Sequence, residues 1–83
     1  RMLHVELQGP AREKKYEFSL NENAKVKGII EEIAAVIAQY EQKTWKTEGS
    51  PLLLCDCGRH RILPLGKTLY ECRTKQGSQL MLI

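Results

Sequence analysis

Apolar and polar residues alternate in two runs near the start of the chain, residues 2–7 and residues 15–20. A period of two is typical of a β-strand with one buried face. Gly9 and Pro10 lie between the two runs, and both residue types favour turns. The pattern therefore predicts a β-hairpin with one apolar face, made by Leu3, Val5, Leu7, Tyr16, Phe18 and Leu20.

The spacing of the apolar residues changes to three and four in residues 24–42, which predicts an amphipathic helix. Asn21 or Asn23 is expected to cap its first turn, because a short side-chain oxygen accepts hydrogen bonds from the free amides there. Gly28 costs up to ~1 kcal/mol relative to Ala inside a helix, and we interpret it as room for a closely packed strand. The apolar face of the predicted helix consists of Val26, Ile29, Ile30, Ile33, Ala34 and Ile37.

Two short apolar runs follow a linker at residues 43–51, which contains Trp45. Two roles suit Trp45 equally well: an anchor in a protein interface, and a side chain that folds back over the core. Residues 52–55 and 61–63 predict two short strands, which are joined by a tight turn at residues 56–58.

The last strand is predicted at residues 79–83, where Leu80 and Leu82 are expected to face the core. Leu69 is expected to anchor a compact stretch before this strand. The resulting order ββαβββ predicts an α+β fold, in which a mixed sheet of four to five strands packs on one central helix. A chain of 83 residues makes one domain, which spans residues 1–83.

The charges of the chain are mixed in sign and spread along it. The net charge is +3, with 28% charged residues and no block of like charges, so a soluble surface is favoured over a nucleic-acid footprint. No apolar run approaches the roughly 18 residues that cross a bilayer, and no direct membrane insertion is expected. Three cysteines without an export signal favour a reducing cytosol over a disulfide framework.

One candidate zinc site consists of Cys55, Cys57 and His60, together with Cys72 further along the chain. Closed zinc sites usually use cysteine pairs with a wider spacing, and a plant-type iron–sulfur cluster needs four cysteines. Ordinary thiols on a strand and in a turn are therefore favoured, and no cofactor is expected. The sequence has no glycine-rich phosphate loop and no convincing pair of nucleophile and base, so an enzyme is not expected either.

Alternation in the later strands defines an outward side of the sheet. If Leu54, Leu80 and Leu82 face the core, their neighbours face away from it. An apolar patch on the surface is a common sign of a protein interface. Scattered surface hydrophobes and a homodimer contact are the alternatives. We expect a partner-binding surface made by Leu53, Cys55, Met81 and Ile83.

The order of the elements is similar to that of ubiquitin. Residues 26–30 lie where the central helix of ubiquitin begins, and residues 67–69 and 75–82 resemble its last turn and closing strand. Within that superfamily the chain resembles the small YukD/EsaB-like proteins of bacterial type VII secretion systems. Their closing segment runs L-x-x-C/Y-x-I, then a turn with glycine, then alternating Leu or Ile. Arg73 stands where this family often has Gly, and Thr74 stands where it usually has Ile.

The resemblance implies a ubiquitin-like β-grasp fold and a non-enzymatic adaptor or regulatory component of a type VII secretion system. It also implies a cytoplasmic protein that docks on protein partners, namely secretion-system components at the membrane. Such a protein reaches the inner face of the membrane through its partner.

Conjugation needs a flexible tail ending in Gly-Gly, because only glycine passes the narrow channel of an activating enzyme. The chain ends at Leu82-Ile83, so a conjugable modifier is an alternative only for a chain that extends past Ile83. A β-grasp RNA-binding module is the other alternative.

Overall fold

The computed structural model describes residues 1–10, 14–42 and 52–83. The predicted linker at residues 43–51, with Trp45, lies outside the described residues. The order of the elements is ββαβββ, which confirms the order predicted from the spacing of apolar residues. No helix within the described ranges is long and apolar enough to span a membrane. The elements are β1 (Met2–Gln8), β2 (Lys15–Asn21), α1 (Val26–Glu41), β3 (Leu54–Asp56), β4 (Arg61–Ile62) and β5 (Gln79–Leu82).

The bounds of β3 differ most clearly from the predicted ones. The strand begins at Leu54 and ends at Asp56, which the sequence pattern places in the following turn. Asp56 belongs to the sheet because it pairs with Arg61 of β4 on one side and with Leu80 of β5 on the other. The turn to β4 therefore starts at Cys57.

The strands form one mixed sheet in the order β2-β1-β5-β3-β4. β1 is antiparallel to β2 and parallel to β5, whereas β3 is antiparallel to both β4 and β5. The strand that comes last in the sequence thus lies in the middle of the sheet. Its register sets Leu80 opposite Leu7 of β1 and Leu82 opposite Leu54 of β3. The inward leucines of three strands therefore lie side by side.

The inward side chains of the sheet and the apolar face of α1 form one core. Alternation along the strands and the spacing of three and four along the helix direct these side chains to one side of each element. Burial of one Leu or Ile side chain contributes roughly 1.5–3 kcal/mol. Tyr16 and Phe18, which were predicted to face inward, are partly buried against the core. The side chains with almost no exposure are Leu3, Leu7, Leu20, Val26, Ile29, Ile33, Ile37, Leu54, Leu63, Leu69, Leu80 and Leu82.

The first turn of α1 is capped by neither of the asparagines predicted for that role. The N-cap residue is Lys25, which has an extended backbone (φ −73°, ψ 147°) and makes no capping hydrogen bond through its side chain to the described residues. The side chain of Asn21 instead accepts a hydrogen bond of 2.8 Å from the amide of Asn23. The capping prediction is wrong because this asparagine oxygen is used within the turn that precedes the helix.

The amides at the start of α1 are instead satisfied by a distant part of the chain. The amide of Val26 donates to the carbonyl of Lys67 at 2.8 Å, and the amide of Lys27 donates to the carbonyl of Leu65 at 3.1 Å. The first amides of a helix have no partner within it, and each needs one elsewhere. These two hydrogen bonds attach the segment between β4 and β5 to the helix.

Gly28 does not provide room for a closely packed strand, and that interpretation is wrong. The residue is exposed. In the described part of the structure, a methyl group on its Cα would meet no heavy atom within 4 Å beyond the helix's own backbone. No packing contact in the described ranges therefore requires glycine at this position.

A tight turn at residues 68–72 closes the segment between β4 and β5. The amide of Thr68 donates to Oε1 of Glu71 at 3.0 Å, and the amide of Glu71 donates to Oγ1 of Thr68 at 3.0 Å, which is the reciprocal arrangement of a capping box. The hydrogen bond from the Thr68 amide lowers the pKa of Glu71. The turn directs Leu69 and Cys72 into the core. Leu69 is the residue that was predicted to anchor this stretch.

Candidate docking face

The four residues predicted as a partner-binding surface lie together on the outer face of the sheet. Leu53 and Ile83 exchange two backbone hydrogen bonds, of 2.8 and 2.9 Å. Cys55 lies directly opposite Met81 in the register of β3 and β5. Leu54, which lies between Leu53 and Cys55, is fully buried on the inner face, so alternation directs both of its neighbours outward. The four side chains therefore form two adjacent pairs on the side of the sheet away from the core.

Ile62 extends this surface, although it is not among the predicted residues. It pairs with Cys55 in the register of β3 and β4, and 52% of its surface is exposed. Its neighbour Leu63 is fully buried, so alternation directs Ile62 outward. The sequence gives no such signal by itself, because Ile62 and Leu63 are both apolar. We call the five outward side chains the apolar patch: Leu53, Cys55, Ile62, Met81 and Ile83.

The apolar patch is partly open in the described structure. Ile62 and Ile83 are 52% and 46% exposed, and the other three side chains are half-buried. Single exposed hydrophobic residues are normal on a protein surface, whereas large contiguous groups of them are common at interaction sites. The register of the strands makes this group contiguous, because each member lies beside another on the neighbouring strand.

The half of the outer face over β1 and β2 is polar. Lys15 Nζ forms an ion pair of 3.5 Å with Oε1 of Glu6. Exposed pairs of this kind contribute little to stability, but they keep this half of the face hydrated. The outer face thus divides into a polar half over β1 and β2 and an apolar half over β5, β3 and β4. The outward pairs of the polar half are His4 with Ser19, Glu6 with Glu17, and Gln8 with Lys15.

Arg59 holds the turn between β3 and β4 against the segment that precedes β5. Its Nη1 donates to the carbonyl of Cys72 at 2.7 Å, and its Nη2 donates to the carbonyl of Arg73. Its Nε lies 3.8 Å from Oδ2 of Asp56, whose side chain is only 5% exposed. This clamp fixes the turn that leads into β4, and with it the position of Ile62. The spacing of three between Asp56 and Arg59 is the only sequence signal for it, since the other partners are backbone carbonyls.

The three cysteines do not form one cluster. The amide of Cys57 donates to the carbonyl of Gln79 at 2.9 Å and so continues the ladder of β3 and β5, which places Cys57 on the same face as Cys55. Cys72 is buried in the core. Among the described residues, no group of three or more His, Cys, Asp or Glu side chains is placed to hold a metal ion. The zinc set that would join Cys55, Cys57 and His60 to Cys72 is therefore not assembled.

Two of the cysteine thiols are shifted in pKa. Burial raises the pKa of Cys57, and the charges of Cys55 and Asp56 raise it further. Burial also raises the pKa of Cys72. A thiol whose pKa is raised is less often present as the reactive thiolate. The surroundings of both side chains therefore favour the protonated thiol.

No protein-family model and no curated protein matches the sequence. Solved structures do match the fold. The EccD5 ubiquitin-like domain from Mycobacterium xenopi has a TM-score of 0.83 at 16% identity, over 100% of this chain and 93% of that chain. The ubiquitin-like domain of the Mycobacterium tuberculosis type VII secretion system protein EccD1 has a TM-score of 0.78 at 16% identity, over 100% of this chain and 98% of that chain. A chain of the toluene 4-monooxygenase HD complex with the inhibitor 4-bromobenzoate has a TM-score of 0.80 at 11% identity, over 99% of this chain and 96% of that chain.

At these low identities the similarity concerns the fold alone. The EccD5 domain, a domain of a type VII secretion system protein and a chain of a monooxygenase complex share it, and a shared fold does not decide function. The α+β fold class predicted from the order of the elements is confirmed. The chain has the ubiquitin-like β-grasp fold, in which a mixed sheet of five strands packs on one helix.

Proposed function

We propose that this domain is a non-enzymatic adaptor or regulatory component of a bacterial type VII secretion system, and that it acts by docking on a protein partner. One observation carries the proposal. Five apolar side chains from neighbouring strands lie together on the outer face of the sheet, in the register of β4, β3 and β5. In this proposal the apolar patch is the docking surface.

The arrangement of the patch suits an interface. Ile62 and Met81 lie on either side of Cys55, so one partner side chain placed over Cys55 would contact all three residues. Methionine adapts easily to different partners, because its unbranched side chain has several rotatable bonds. The polar half over β1 and β2 would lie at the rim, as polar residues usually do around the apolar centre of an interface.

Two likenesses support the secretion context. The sequence resembles the YukD/EsaB-like proteins, and the fold is similar to the ubiquitin-like domains of EccD5 and EccD1, the second of which is a type VII secretion system protein. In this proposal the domain works in the cytoplasm and reaches the inner face of the membrane through its partner, which is a component of the secretion system. In the same proposal it acts as a single domain over residues 1–83, binds no nucleic acid and needs no cofactor for docking.

Affinity capture with matched variants tests the proposal. Purified wild type, Ile62→Asp, Met81→Asp and Ser19→Asp serve as baits in a lysate of the organism that encodes the chain, and captured secretion components are identified and quantified. Ile62→Asp is the main variant, because Ile62 lies on a short outer strand and is half-exposed. Ser19→Asp is the control, because Ser19 is exposed on the polar half of the same face. Circular dichroism and thermal unfolding establish that each bait is folded.

Wild type and Ser19→Asp are expected to capture a type VII secretion component. Ile62→Asp and Met81→Asp are expected to lose most of it, because an unpaired carboxylate is costly to bury in an apolar contact. The proposal fails if wild type captures no secretion component, or if folded Ile62→Asp captures as much as wild type. It also fails if the apolar patch joins two copies of this chain. In that case wild type would have twice the monomer mass in solution, and Ile62→Asp would have the monomer mass.

A further inference from the structure

Three sulfur-containing side chains lie on the outer face of the sheet. Cys55 and Cys57 occupy alternate positions along β3 and its continuation, so their side chains stand parallel, about 6.8 Å apart along the strand. Met81 lies directly opposite Cys55 in the register of β3 and β5. Two residues away, Leu53 and Ile83 exchange both of their backbone hydrogen bonds. Cys55 and Met81 thus occupy the next hydrogen-bonded pair, in which the Cα atoms lie about 5.5 Å apart.

Cys57 belongs to this group although it follows the last residue of β3. Its amide donates to the carbonyl of Gln79 at 2.9 Å, which extends the ladder beyond Asp56 and keeps the alternation of side chains. Cys55 and Cys57 are both partly exposed. All three sulfur-containing side chains are therefore on one side of the sheet and open to a ligand from solvent.

The spacing of the two thiols favours a bridging ion over a disulfide. A disulfide needs Cβ atoms about 3.5–4.5 Å apart, whereas alternate strand positions separate them by about 6.8 Å. A metal ion between two sulfur atoms adds two metal–sulfur bonds of about 2.3 Å each. It can therefore span the gap without movement of the backbone.

The type of ligand selects the ion. Thiolate and thioether sulfur atoms are soft ligands, which suit Cu(I), zinc and iron–sulfur clusters. An iron–sulfur cluster needs four cysteines. A structural zinc site needs four ligands, usually cysteine or histidine, and the described residues offer no group of three or more His, Cys, Asp or Glu side chains for it. Two cysteines and one methionine instead make a three-coordinate sulfur site.

We propose that Cys55, Cys57 and Met81 form a binding site for one Cu(I) ion on the outer face of the sheet. On binding, the two thiols lose their protons to solvent and become thiolates, the ion stays Cu(I), and no electron is transferred. The occupied site carries one net negative charge inside the apolar patch. The site does not rest on the proposed docking function, because it needs only the residues of this chain.

A titration with Cu(I) alone tests the site. The reduced, purified protein competes anaerobically with a coloured Cu(I) chelator, and wild type is expected to bind one equivalent. Cys55→Ser and Cys57→Ser are expected to lose this binding. Met81→Leu keeps the size and apolar character of the side chain. It is expected to weaken binding by at least the roughly 10–100-fold that follows removal of a group that only supports a metal ligand, because Met81 is itself a ligand. Cys72→Ser is the matched control and is expected to bind as wild type does, because Cys72 lies in the core.

Three results would overturn the proposal. The first is that wild type fails to withdraw Cu(I) from the chelator. The second is that folded Cys57→Ser binds Cu(I) as tightly as wild type, and the third is that folded Cys72→Ser loses the binding. X-ray absorption of the copper-loaded protein gives an independent reading, and a shell of nitrogen or oxygen instead of sulfur would also overturn the site. The titration uses no partner, so a failed affinity capture leaves it intact, and a failed titration leaves the docking proposal intact.

Discussion

The guanidinium of Arg59 donates a hydrogen bond of 2.7 Å from Nη1 to the backbone carbonyl of Cys72. This contact joins the turn after β3 to the segment that precedes β5. The nearly buried carboxylate of Asp56 holds the guanidinium from the other side. A hydrogen bond in which one group is charged and partly buried contributes more than a bond between neutral groups. The turn that carries the outer end of the apolar patch therefore depends on one side chain.

Arg59→Lys is expected to lower the free energy of unfolding by about 1–3 kcal/mol. An ammonium group keeps the charge but cannot reach two carbonyls with the forked geometry of a guanidinium. Arg61→Lys is the control, because Arg61 is exposed and such substitutions usually change stability by less than about 0.5 kcal/mol. Urea unfolding followed by circular dichroism measures both variants. Equal stability of the two would contradict the clamp.

Thr74 has a buried hydroxyl that finds no hydrogen-bond partner among the described residues. Thr74→Val replaces it by a methyl group of similar size and is expected to raise the free energy of unfolding by about 1–3 kcal/mol, the cost of an unsatisfied buried polar group. Thr74→Ser, which keeps the hydroxyl and loses the methyl group, is expected to be less stable than wild type. The urea midpoints of the three proteins are compared. A valine variant less stable than wild type would show that the hydroxyl has a partner.

Gly28→Ala is expected to stabilise the protein by up to ~1 kcal/mol, because the helical position is exposed and the added methyl group meets nothing in the described structure. Gly77→Ala is the matched control. Gly77 also has open space around it, but its φ is 79°, where a side chain costs roughly 1–2 kcal/mol. Thermal unfolding should show a higher Tm for the first variant and a lower Tm for the second. A lower Tm for Gly28→Ala would reveal a contact on that side of the helix.

Tyr16 donates a hydrogen bond to the carboxylate of Glu41 at the end of α1, and this bond raises the pKa of Tyr16 to about 12 from the ordinary 10.0. The folded protein thus holds the phenolic proton more tightly than the unfolded chain. The resulting stability is complete below pH 10 and is lost as the pH rises from 10 to 12. Glu41→Gln is expected to return the pKa of Tyr16 towards 10. Absorbance of tyrosinate, in a background of Tyr40→Phe and Tyr70→Phe, measures it, and an unchanged pKa would exclude Glu41 as the cause.

The faces of the strands could be predicted from the sequence because alternation is a local property. The positions of Leu54 and Leu82 were enough to place Cys55 and Met81 on the opposite side. The outward direction of Ile62 could not be predicted in this way, because a strand of two residues is too short to show the alternation of apolar and polar residues. Its phase becomes clear only from the burial of its neighbour, Leu63.

The contacts that hold the loops could not be predicted in the same way. The amide of Val26 finds its partner on the backbone of Lys67, and a backbone carbonyl carries no residue-specific signal. Two departures from the YukD/EsaB-like pattern, in contrast, have a local explanation. Arg73 has a φ of 59°, a conformation that glycine adopts without strain, and Thr74 is buried, where Ile would fit the apolar surroundings.

The central position of β5 has a consequence for the synthesis of the protein in the cell. β1, β2 and α1 leave the ribosome first, yet β3 and β4 join them in the sheet only through β5. At about 5–20 residues per second, the residues between the helix and β5 take roughly 2–8 s to translate. During that interval the hairpin and the helix lack the strands that complete the sheet, and part of their apolar faces stays uncovered. The domain therefore finishes folding only after β5 has emerged, and until then its nascent chain exposes apolar surface that is prone to aggregation.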